Sequence, residues 1–271
     1  MLDDTLVENV IKIAEKAADK ILEIYAQEFK VHDKSDGSPV TVADQAAHDV
    51  ICSHLKNLIP DCPILSEESL DKEKEQRLSW QRFWLVDPLD GTKEFINKNG
   101  EFTVNIALIE GTQPVLGVVN TPAQGVTHFA RRGNGAFRRD SNGTRKICCS
   151  KVNNETATLV ASRSHAGVAV EKFKNAMELD WPVVNTTSMG SALKICLVAE
   201  GVADIYPRLG LTSEWDTAAA HCVLDEAGGA MLTPNGDVVR YNKPDTLLNP
   251  WFLAIGDPEH NWLKYHVTES E

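Results

Sequence analysis

Residues 84–95 read Trp-Leu-Val-Asp-Pro-Leu-Asp-Gly-Thr-Lys-Glu-Phe, and the two aspartates in this stretch are its most informative feature. The apolar run at 83–86 predicts a buried strand, so Asp87 and Asp90 emerge where that strand ends. Pro88 restricts its own backbone and that of the residue before it, which lets the two carboxylates converge on one point. Carboxylates held this close repel each other, and a hard divalent cation such as Mg²⁺ relieves the repulsion because it binds oxygen ligands.

Two further residues of the stretch suit a bound anion. Gly91 lets the backbone approach a ligand closely. Thr92 is placed to begin a short helix whose free N–H groups face an anion. A metal and an anion at one strand end indicate phosphate chemistry. The alternative is a solvated turn with a helix cap, because Asp-Pro and Asp-Gly are also ordinary turn dipeptides.

Three acidic residues outside this stretch are candidates to join the site. Glu67 directly follows a short apolar strand, whereas its neighbour Glu68 is better interpreted as part of a surface turn. Thr41 and Asp44 have the spacing of a capping box, and a capping role for Asp44 is compatible with a catalytic one. Asp216 lies at the start of a helix rich in small residues. It could stabilise the helix N-terminus or bind a metal.

Together these segments resemble the inositol monophosphatase superfamily of magnesium-dependent, lithium-sensitive phosphatases. The superfamily signature is the pairing of Asp-Pro-Leu-Asp-Gly-Thr at 87–92 with Trp-Asp-Thr-Ala-Ala at 215–219. Three further segments, at 93–95, 100–107 and 162–165, resemble the bacterial 3′(2′),5′-bisphosphate nucleotidase branch. Inositol monophosphatases usually have Thr-Asn-Phe where this chain has Lys-Glu-Phe at 93–95. The resemblance extends from residue 36 to residue 250.

The resemblance implies a fold, a cofactor and a set of site residues. The fold would be α/β layered, an αβαβα sandwich of the inositol monophosphatase and fructose-1,6-bisphosphatase type, and the cofactor would be two or three Mg²⁺ ions. Asp44 and Thr92 would activate the attacking water. The metal ligands would be Glu67, Asp87, the carbonyl of Leu89, Asp90 and Asp216. The substrate would be bound by Gly91, Thr92, Ser162, His165, Gly190, Lys194 and Asp216.

The activity that the resemblance implies is the hydrolysis of the 3′-phosphate of adenosine 3′,5′-bisphosphate to AMP and phosphate. The sulfated precursor, 3′-phosphoadenylyl sulfate, is a second expected substrate, which places the enzyme in sulfur and nucleotide metabolism. Lys194 and Arg208 are candidates to recognise the second phosphate. The alternatives are an inositol-monophosphate or sugar-phosphate phosphatase on the same scaffold, or a non-catalytic sensor. A sensor would not need Thr92 as a water-activating hydroxyl.

Composition restricts the partners. The 271 residues include 42% hydrophobic and 24% charged residues, which is typical of a globular protein. The net charge of −12 opposes binding to nucleic-acid polymers, whose affinity depends on Lys and Arg, and leaves a small phosphorylated nucleotide as the expected partner. The six cysteines form no C-x-x-C pair, which indicates free thiols in a reducing compartment.

The first residues lack the basic and apolar regions of a signal peptide, and no apolar run approaches the ~20 residues of a membrane span. We therefore expect a cytoplasmic protein, with peripheral association at the cytoplasmic face of the inner membrane left open. The oligomeric state is not predicted.

The pattern of elements predicts two halves that form one catalytic unit. Residues 1–150 would be an α+β half that carries the metal-binding signature, and 151–271 an α/β half that completes the site, because strands and helices alternate there. Residues 67–82 are predicted to be a solvated loop, and the polar end at 259–271 to fray. The helices are expected at 4–29, 43–58, 168–179, 191–200 and 216–227, and hairpin turns at 133–135 and 142–143.

Overall fold

Two helices packed side by side form the first layer of the fold. The computed structural model describes residues 2–27, 31–33, 39–69, 76–162 and 167–265. Helices α1 (Asp4–Tyr25) and α2 (Val42–Leu58) bury their apolar faces in one cluster with the neighbouring sheet. The capping box predicted from sequence, Thr41 with Asp44, begins α2. Ahead of it, β1 (Val31–Asp33) and β2 (Pro39–Thr41) pair as an antiparallel ribbon.

The second layer is a mixed sheet whose strands lie side by side in chain order. Its first two strands are parallel and all later neighbours are antiparallel. Both predicted hairpin turns connect strands of this sheet. Within the described ranges, its strands are β3 (Ile64–Ser66), β4 (Arg82–Asp90), β5 (Thr103–Glu110), β6 (Gln113–Thr121), β7 (Val126–Arg131), β8 (Gly135–Asp140) and β9 (Gly143–Ile147).

The remaining layers come from the C-terminal part of the chain. The helices there and just after β4 are α3 (Thr92–Ile96), α4 (Val168–Met177), α5 (Leu193–Ala199) and α6 (Glu214–Glu226). The second sheet has the order β11-β10-β12-β14-β13. Its strands are β10 (Thr156–Ser162), β11 (Val183–Met189), β12 (Ile205–Arg208), β13 (Ala230–Leu232) and β14 (Phe252–Ile255).

Three apolar clusters define how the layers are stacked. One joins α1 and α2 to the first sheet, the second joins that sheet to α5, α6 and the second sheet, and the third joins the second sheet to α4. This is the predicted αβαβα order of layers. The boundary between the two predicted halves, at residue 150, falls between the end of the first sheet at Ile147 and the start of the second at Thr156. The division into two halves itself stays a prediction. Over the part of the chain that is described, no helix is long and apolar enough to span a membrane.

Several predicted boundaries were wrong. Helix α1 ends at Tyr25 rather than at residue 29. Helix α5 begins at Leu193 rather than at residue 191, because Ser191 has a φ of +46°, which a right-handed helix excludes. The apolar pair at 183–184 predicts only a short strand, whereas β11 runs to Met189, because all of its residues pair in parallel with β10. Strands β13 and β14 were not predicted.

Two segments that were predicted to be solvated contain buried residues. Gln76–Ser79 forms a 3₁₀ turn in which Arg77 is only 2% exposed, so the predicted loop at 67–82 is packed at its end; residues 70–75 lie outside the described ranges. Trp262–Tyr265 forms another 3₁₀ turn, with Trp262 and Tyr265 buried against the second sheet. Fraying from residue 259 was therefore a wrong expectation as far as Tyr265.

Candidate active site

The carboxyl end of β4 carries the centre of the site. Asp87 and Asp90 lie in the last residues of the strand, and the pairing with β5 is interrupted between them. Gly91 follows with a φ of +91°, which favours glycine, and a Cβ there would lie 3.2 Å from the carbonyl oxygen of Glu101. Thr92 then begins α3, as the sequence predicted.

Burial and neighbouring negative charges raise the pKa of Asp87 and of Asp216. Burial raises the pKa of Asp87 well above its usual range, and the charges of Glu67, Asp90 and Asp216 raise it further. The pKa of Asp216 is raised in the same way, first by burial and then by the charge of Asp90. The carboxylates predicted to be metal ligands therefore repel one another electrostatically, and a cation among them would relieve that repulsion.

Backbone N–H groups hold these carboxylates in place. Asp87 Oδ1 accepts the N–H of Leu89 at 3.1 Å, and Asp216 Oδ2 accepts the N–H of Ser213 at 2.8 Å. Asp90 Oδ2 accepts the N–H of Ala192 at 2.7 Å, so the second half of the chain fixes a residue of the first. Among the described residues, no three acidic, histidine or cysteine side chains are arranged as a ready-made metal site.

Asp44 makes two kinds of contact with its two oxygens. Oδ2 accepts the N–H and the hydroxyl of Thr41, both at 2.8 Å, which caps α2. Oδ1 accepts the hydroxyl of Thr92 at 3.4 Å. Asp44 is only 2% exposed, so both contacts are shielded from water. One side chain, Asp44, therefore both caps α2 and contacts Thr92, the residue with which it is predicted to activate the attacking water.

Lys194 is a buried cation near Asp90. It is 7% exposed, and its Nζ donates to the carbonyl of Ser191 at 2.7 Å. Burial lowers its pKa to about 8, although the charge of Asp90 acts in the opposite direction. The same proximity limits the pKa of Asp90, which burial raises to about 6. Lys194 is thus a buried positive charge that acts on Asp90, as well as a candidate substrate ligand.

Two adjoining cavities open beside these residues. The smaller, of about 140 Å³, is lined by Asp90, Gly91, Ser162, Lys194 and Asp216 among others. The larger, of about 590 Å³, lies against the loop at 207–211. Both cavities are lined by Ser162, Tyr206 and Arg208.

For two predicted substrate ligands, Gly190 and His165, the substrate contact stays a prediction. Gly190 donates its N–H to Glu101 Oε2 at 2.8 Å, and a Cβ at Gly190 would lie 2.7 Å from the Glu101 carbonyl oxygen. Close packing therefore accounts for this glycine, and its substrate contact stays a prediction. His165 lies outside the described residues.

Asn105 is a site residue that the sequence reasoning missed. It lies in β5, is 1% exposed, and its Nδ2 donates to Asp90 Oδ2 at 3.4 Å. One sequence signal could have found it: Asn105 is a single amide side chain in the mostly apolar segment 103–109. A polar side chain buried in such a strand requires a hydrogen-bond partner, which points to a polar site beside it.

Comparisons with known proteins identify relatives of this chain. The 3′(2′),5′-bisphosphate nucleotidase CysQ of Shigella flexneri is 45% identical over 250 residues, which cover 91% of this chain and 98% of that protein. The CysQ of Haemophilus influenzae is 35% identical over 261 residues, 96% of each chain.

The solved structures show the same fold. A crystal structure of CysQ from Bacteroides thetaiotaomicron superposes with a TM-score of 0.80 at 38% identity, covering 92% of this chain and 96% of that one. The suhB protein of Bartonella henselae shares the fold, with a TM-score of 0.78 at 23% identity over 99% of this chain and all of that one. The model of the inositol monophosphatase family matches residues 3–264. The chain therefore belongs to the inositol monophosphatase family.

Proposed function

We propose that this chain is a 3′(2′),5′-bisphosphate nucleotidase that hydrolyses the 3′-phosphate of adenosine 3′,5′-bisphosphate, and that of 3′-phosphoadenylyl sulfate. The CysQ relatives support the substrate class, since they match nearly the whole chain at 35% to 45% identity. The observation that carries the chemistry is the set of mutually repelling carboxylates around Asp87, next to a Thr92 hydroxyl that already donates to Asp44.

Members of this family are generally magnesium-dependent, and the acidic residues fit that ion. Glu67, Asp87, Asp90 and Asp216 offer oxygen ligands, and a cation among them would relieve the repulsion that raises the pKa of Asp87 and of Asp216. We assign these four side chains and the carbonyl of Leu89 to two or three Mg²⁺ ions. Bound there, Mg²⁺ would neutralise phosphate charge and lower the pKa of a water molecule.

Asp44 and Thr92 would orient the attacking water. Asp44 Oδ1 accepts the Thr92 hydroxyl proton, which leaves a lone pair of Thr92 Oγ1 free to accept a hydrogen bond from the water. Asp44 is itself fixed by Thr41, so the pair is rigid before the substrate arrives. The backbone amides of Gly91 and Thr92 would hold the phosphate that is removed, and no covalent intermediate is required.

The two cavities favour a nucleotide over a small sugar phosphate. A phosphate group beside Asp90 would occupy the small cavity, and the larger one would accept the nucleoside. Arg208 lines both, and one guanidinium N–H donates to the carbonyl of Leu211 at 2.7 Å. Its Nε is buried without a hydrogen-bond partner, which suits an anionic group such as the second phosphate or the sulfate. Ser162 and Lys194 line the small cavity beside it, and His165 stays a predicted contact.

We also infer a reducing compartment such as the cytoplasm, because all six cysteines are free thiols in the structure.

Phosphate release from a substrate panel tests the proposed function. The panel is adenosine 3′,5′-bisphosphate, 3′-phosphoadenylyl sulfate, AMP and inositol monophosphate, each with and without Mg²⁺. We expect the highest kcat/KM for the two 3′-phosphorylated nucleotides and no turnover after chelation. A preference for inositol monophosphate would replace the nucleotidase proposal with an inositol phosphatase. Nucleotide binding without phosphate release would indicate a sensor.

A further inference from the structure

An ion pair between a buried carboxylate and a half-buried lysine holds the first turn of α6. Glu214 lies two residues before Asp216 and is completely buried, at 0% exposure. Its Oε1 accepts a hydrogen bond from Lys243 Nζ at 2.6 Å, and its Oε2 accepts one from the N–H of Asn242 at 2.7 Å. A buried charge with this many partners is costly to disturb, because loss of one partner leaves the other uncompensated.

Residues 241–249, which we call the strap, hold the same helix at three points. Besides the contacts to Glu214, the Tyr241 hydroxyl lies 3.3 Å from Thr217 Oγ1. At the far end, Asn249 Nδ2 donates to the carbonyl of Ser213 at 2.7 Å and to Thr217 Oγ1 at 3.0 Å. The strap therefore fixes both the residue that caps α6 and the helical turn that follows Asp216.

Arg77 connects the strap to the first half of the site. Its guanidinium donates to Asn242 Oδ1 at 2.9 Å and to the carbonyl of Lys243 at 2.7 Å, and Asn242 Nδ2 donates back to the Arg77 carbonyl at 3.0 Å. Asn242 has a φ of +57°, a conformation in which asparagine is the most readily tolerated residue after glycine. Arg77 itself lies in the chain between Glu67 and β4. A continuous series of contacts thus joins Glu214, through Asn242, to Arg77, which lies in the sequence between the predicted metal ligands Glu67 and Asp87.

We propose that Glu214 is a positioning residue for the metal-dependent reaction. Its ion pair, anchored through the strap to Arg77, sets the position of Asp216 relative to the carboxylates of the first half. Asp216 Oδ2 is bonded to the N–H of Ser213 in the same first turn, so its carboxylate moves when that turn moves. This inference rests on the proposed metal site and assigns Glu214 no contact with substrate or metal.

Glu214→Gln is the direct test, because it keeps the side-chain shape and removes the charge. The melting temperature of wild type and variant is measured against Mg²⁺ concentration without substrate, since an ion bound by the native state raises it. Phosphate release is measured over the same series. The Mg²⁺ midpoint is the Mg²⁺ concentration that gives half of the rise in melting temperature or half of the maximal rate of phosphate release. We expect both midpoints to rise about 10- to 100-fold in Glu214→Gln, the range for residues that orient metal ligands. The kcat should recover at saturating Mg²⁺.

Glu226→Gln is a matched control at the opposite end of α6. Its carboxylate accepts the backbone N–H groups of Gly133, Asn134 and Gly135 at 2.8, 3.1 and 2.8 Å, which belong to the turn from β7 into β8 and not to the acidic cluster. This variant should lower the melting temperature while leaving the Mg²⁺ midpoints unchanged. The control separates a loss of stability from a change in ion binding.

Asn242→Gly provides a second variant if Glu214→Gln does not fold. Glycine accepts the positive φ and keeps the N–H that Glu214 accepts, but it removes the amide contacts with Arg77. We expect a smaller rise of the Mg²⁺ midpoint in the same direction. Mg²⁺ midpoints equal to those of wild type in both variants would overturn the positioning role while the proposed function stands.

A wild-type protein that is inactive on the nucleotides but melts higher in Mg²⁺ would overturn only the proposed nucleotide substrate. No Mg²⁺ response in wild type would overturn both proposals.

Discussion

The carboxylate of Asp44 and the hydroxyl of Thr92 lie 3.4 Å apart although 48 residues separate them in the chain. Each is the product of a local helix start: Asp44 belongs to the capping box of α2, and Thr92 is the first residue of α3. The fold brings the two helix starts together beside the end of β4. A pair that forms before any ligand is bound is already oriented to position a water molecule.

Replacement of Thr92 tests this pair. Thr92→Val keeps the shape of the side chain and removes the hydroxyl, so we expect kcat to fall by about 10²- to 10⁴-fold on every substrate, the range for a lost general acid–base group. KM should change little, because the backbone amide remains. Thr92→Ser, which retains the hydroxyl, is the control. Steady-state kinetics at saturating Mg²⁺ provide the comparison, and a Val variant with near-normal kcat would remove Thr92 from the chemistry.

Asp90→Asn tests the metal assignment. The change removes one ligand charge, so turnover should be lost. It also relieves repulsion within the buried acidic cluster, since the charges of Asp90 and its neighbours raise the pKa of Asp87 and Asp216. We therefore expect the metal-free variant to melt at least as high as metal-free wild type, with a smaller rise on addition of Mg²⁺. Near-normal activity in Mg²⁺ would show that Asp90 is not a metal ligand.

Much of this site could be predicted because its signals are local. The capping box of Asp44, the strand before Asp87 and the helix start at Thr92 each depend on a few neighbouring residues. The carboxylates could also be grouped, because their segments resemble a family signature. Glu214 gave no such signal: an acidic residue in a first helical turn is usually exposed, and its burial depends on Lys243 and the strap.

Other features depend on contacts between distant segments, which the sequence pattern does not report. Arg77 is buried because it reaches Asn242, which is 165 residues away in the chain. Ser191 adopts a positive φ where its neighbour Ala192 donates to Asp90, and its sequence predicted an ordinary helix start. Strand β11 is mostly polar and half exposed, so its length follows from pairing with β10 rather than from its own residues.

The pH dependence of stability can be tested at Glu200, at the end of α5. His128 Nε2 lies 2.7 Å and Arg145 2.6 Å from its carboxylate. Burial alone would raise the pKa of Glu200, but the hydrogen bond and charge of His128 and the charges of Arg138 and Arg145 lower it overall. A carboxyl group with a lowered pKa in the folded state stabilises that state above its unfolded pKa of about 4.3, and this contribution is lost as the pH falls through the folded pKa.

Glu200→Gln should therefore lower the free energy of unfolding near neutral pH by about 1–3 kcal/mol, the cost of leaving charged donors unpaired. The difference from wild type should shrink as the pH falls below about 4. Glu23→Gln is the control, because the Glu23–Lys20 pair is exposed and such pairs contribute little. Urea unfolding at several pH values measures both. A wild-type advantage that persists unchanged at the lowest pH would contradict the assignment.

Substrate choice should depend on Arg208 more selectively than on Lys194. Arg208 lines both cavities and has a buried Nε without a hydrogen-bond partner. Arg208→Gln should therefore weaken the binding of a bisphosphate nucleotide by roughly 1.5–3 kcal/mol, the range for a hydrogen bond to a charged group. The same variant should barely affect inositol monophosphate, which has no second phosphate.

Lys194→Met should behave differently, because the Lys194 ammonium lines the small cavity and its charge also lowers the pKa of Asp90. Without that positive charge, the negative charge of Asp90 is less well stabilised, and we expect reduced kcat/KM for both substrates. The measurement is kcat/KM of each variant on adenosine 3′,5′-bisphosphate and on inositol monophosphate. Equal losses on both substrates for Arg208→Gln would exclude it as the reader of the second phosphate. A loss confined to the bisphosphate for Lys194→Met would transfer that role to Lys194.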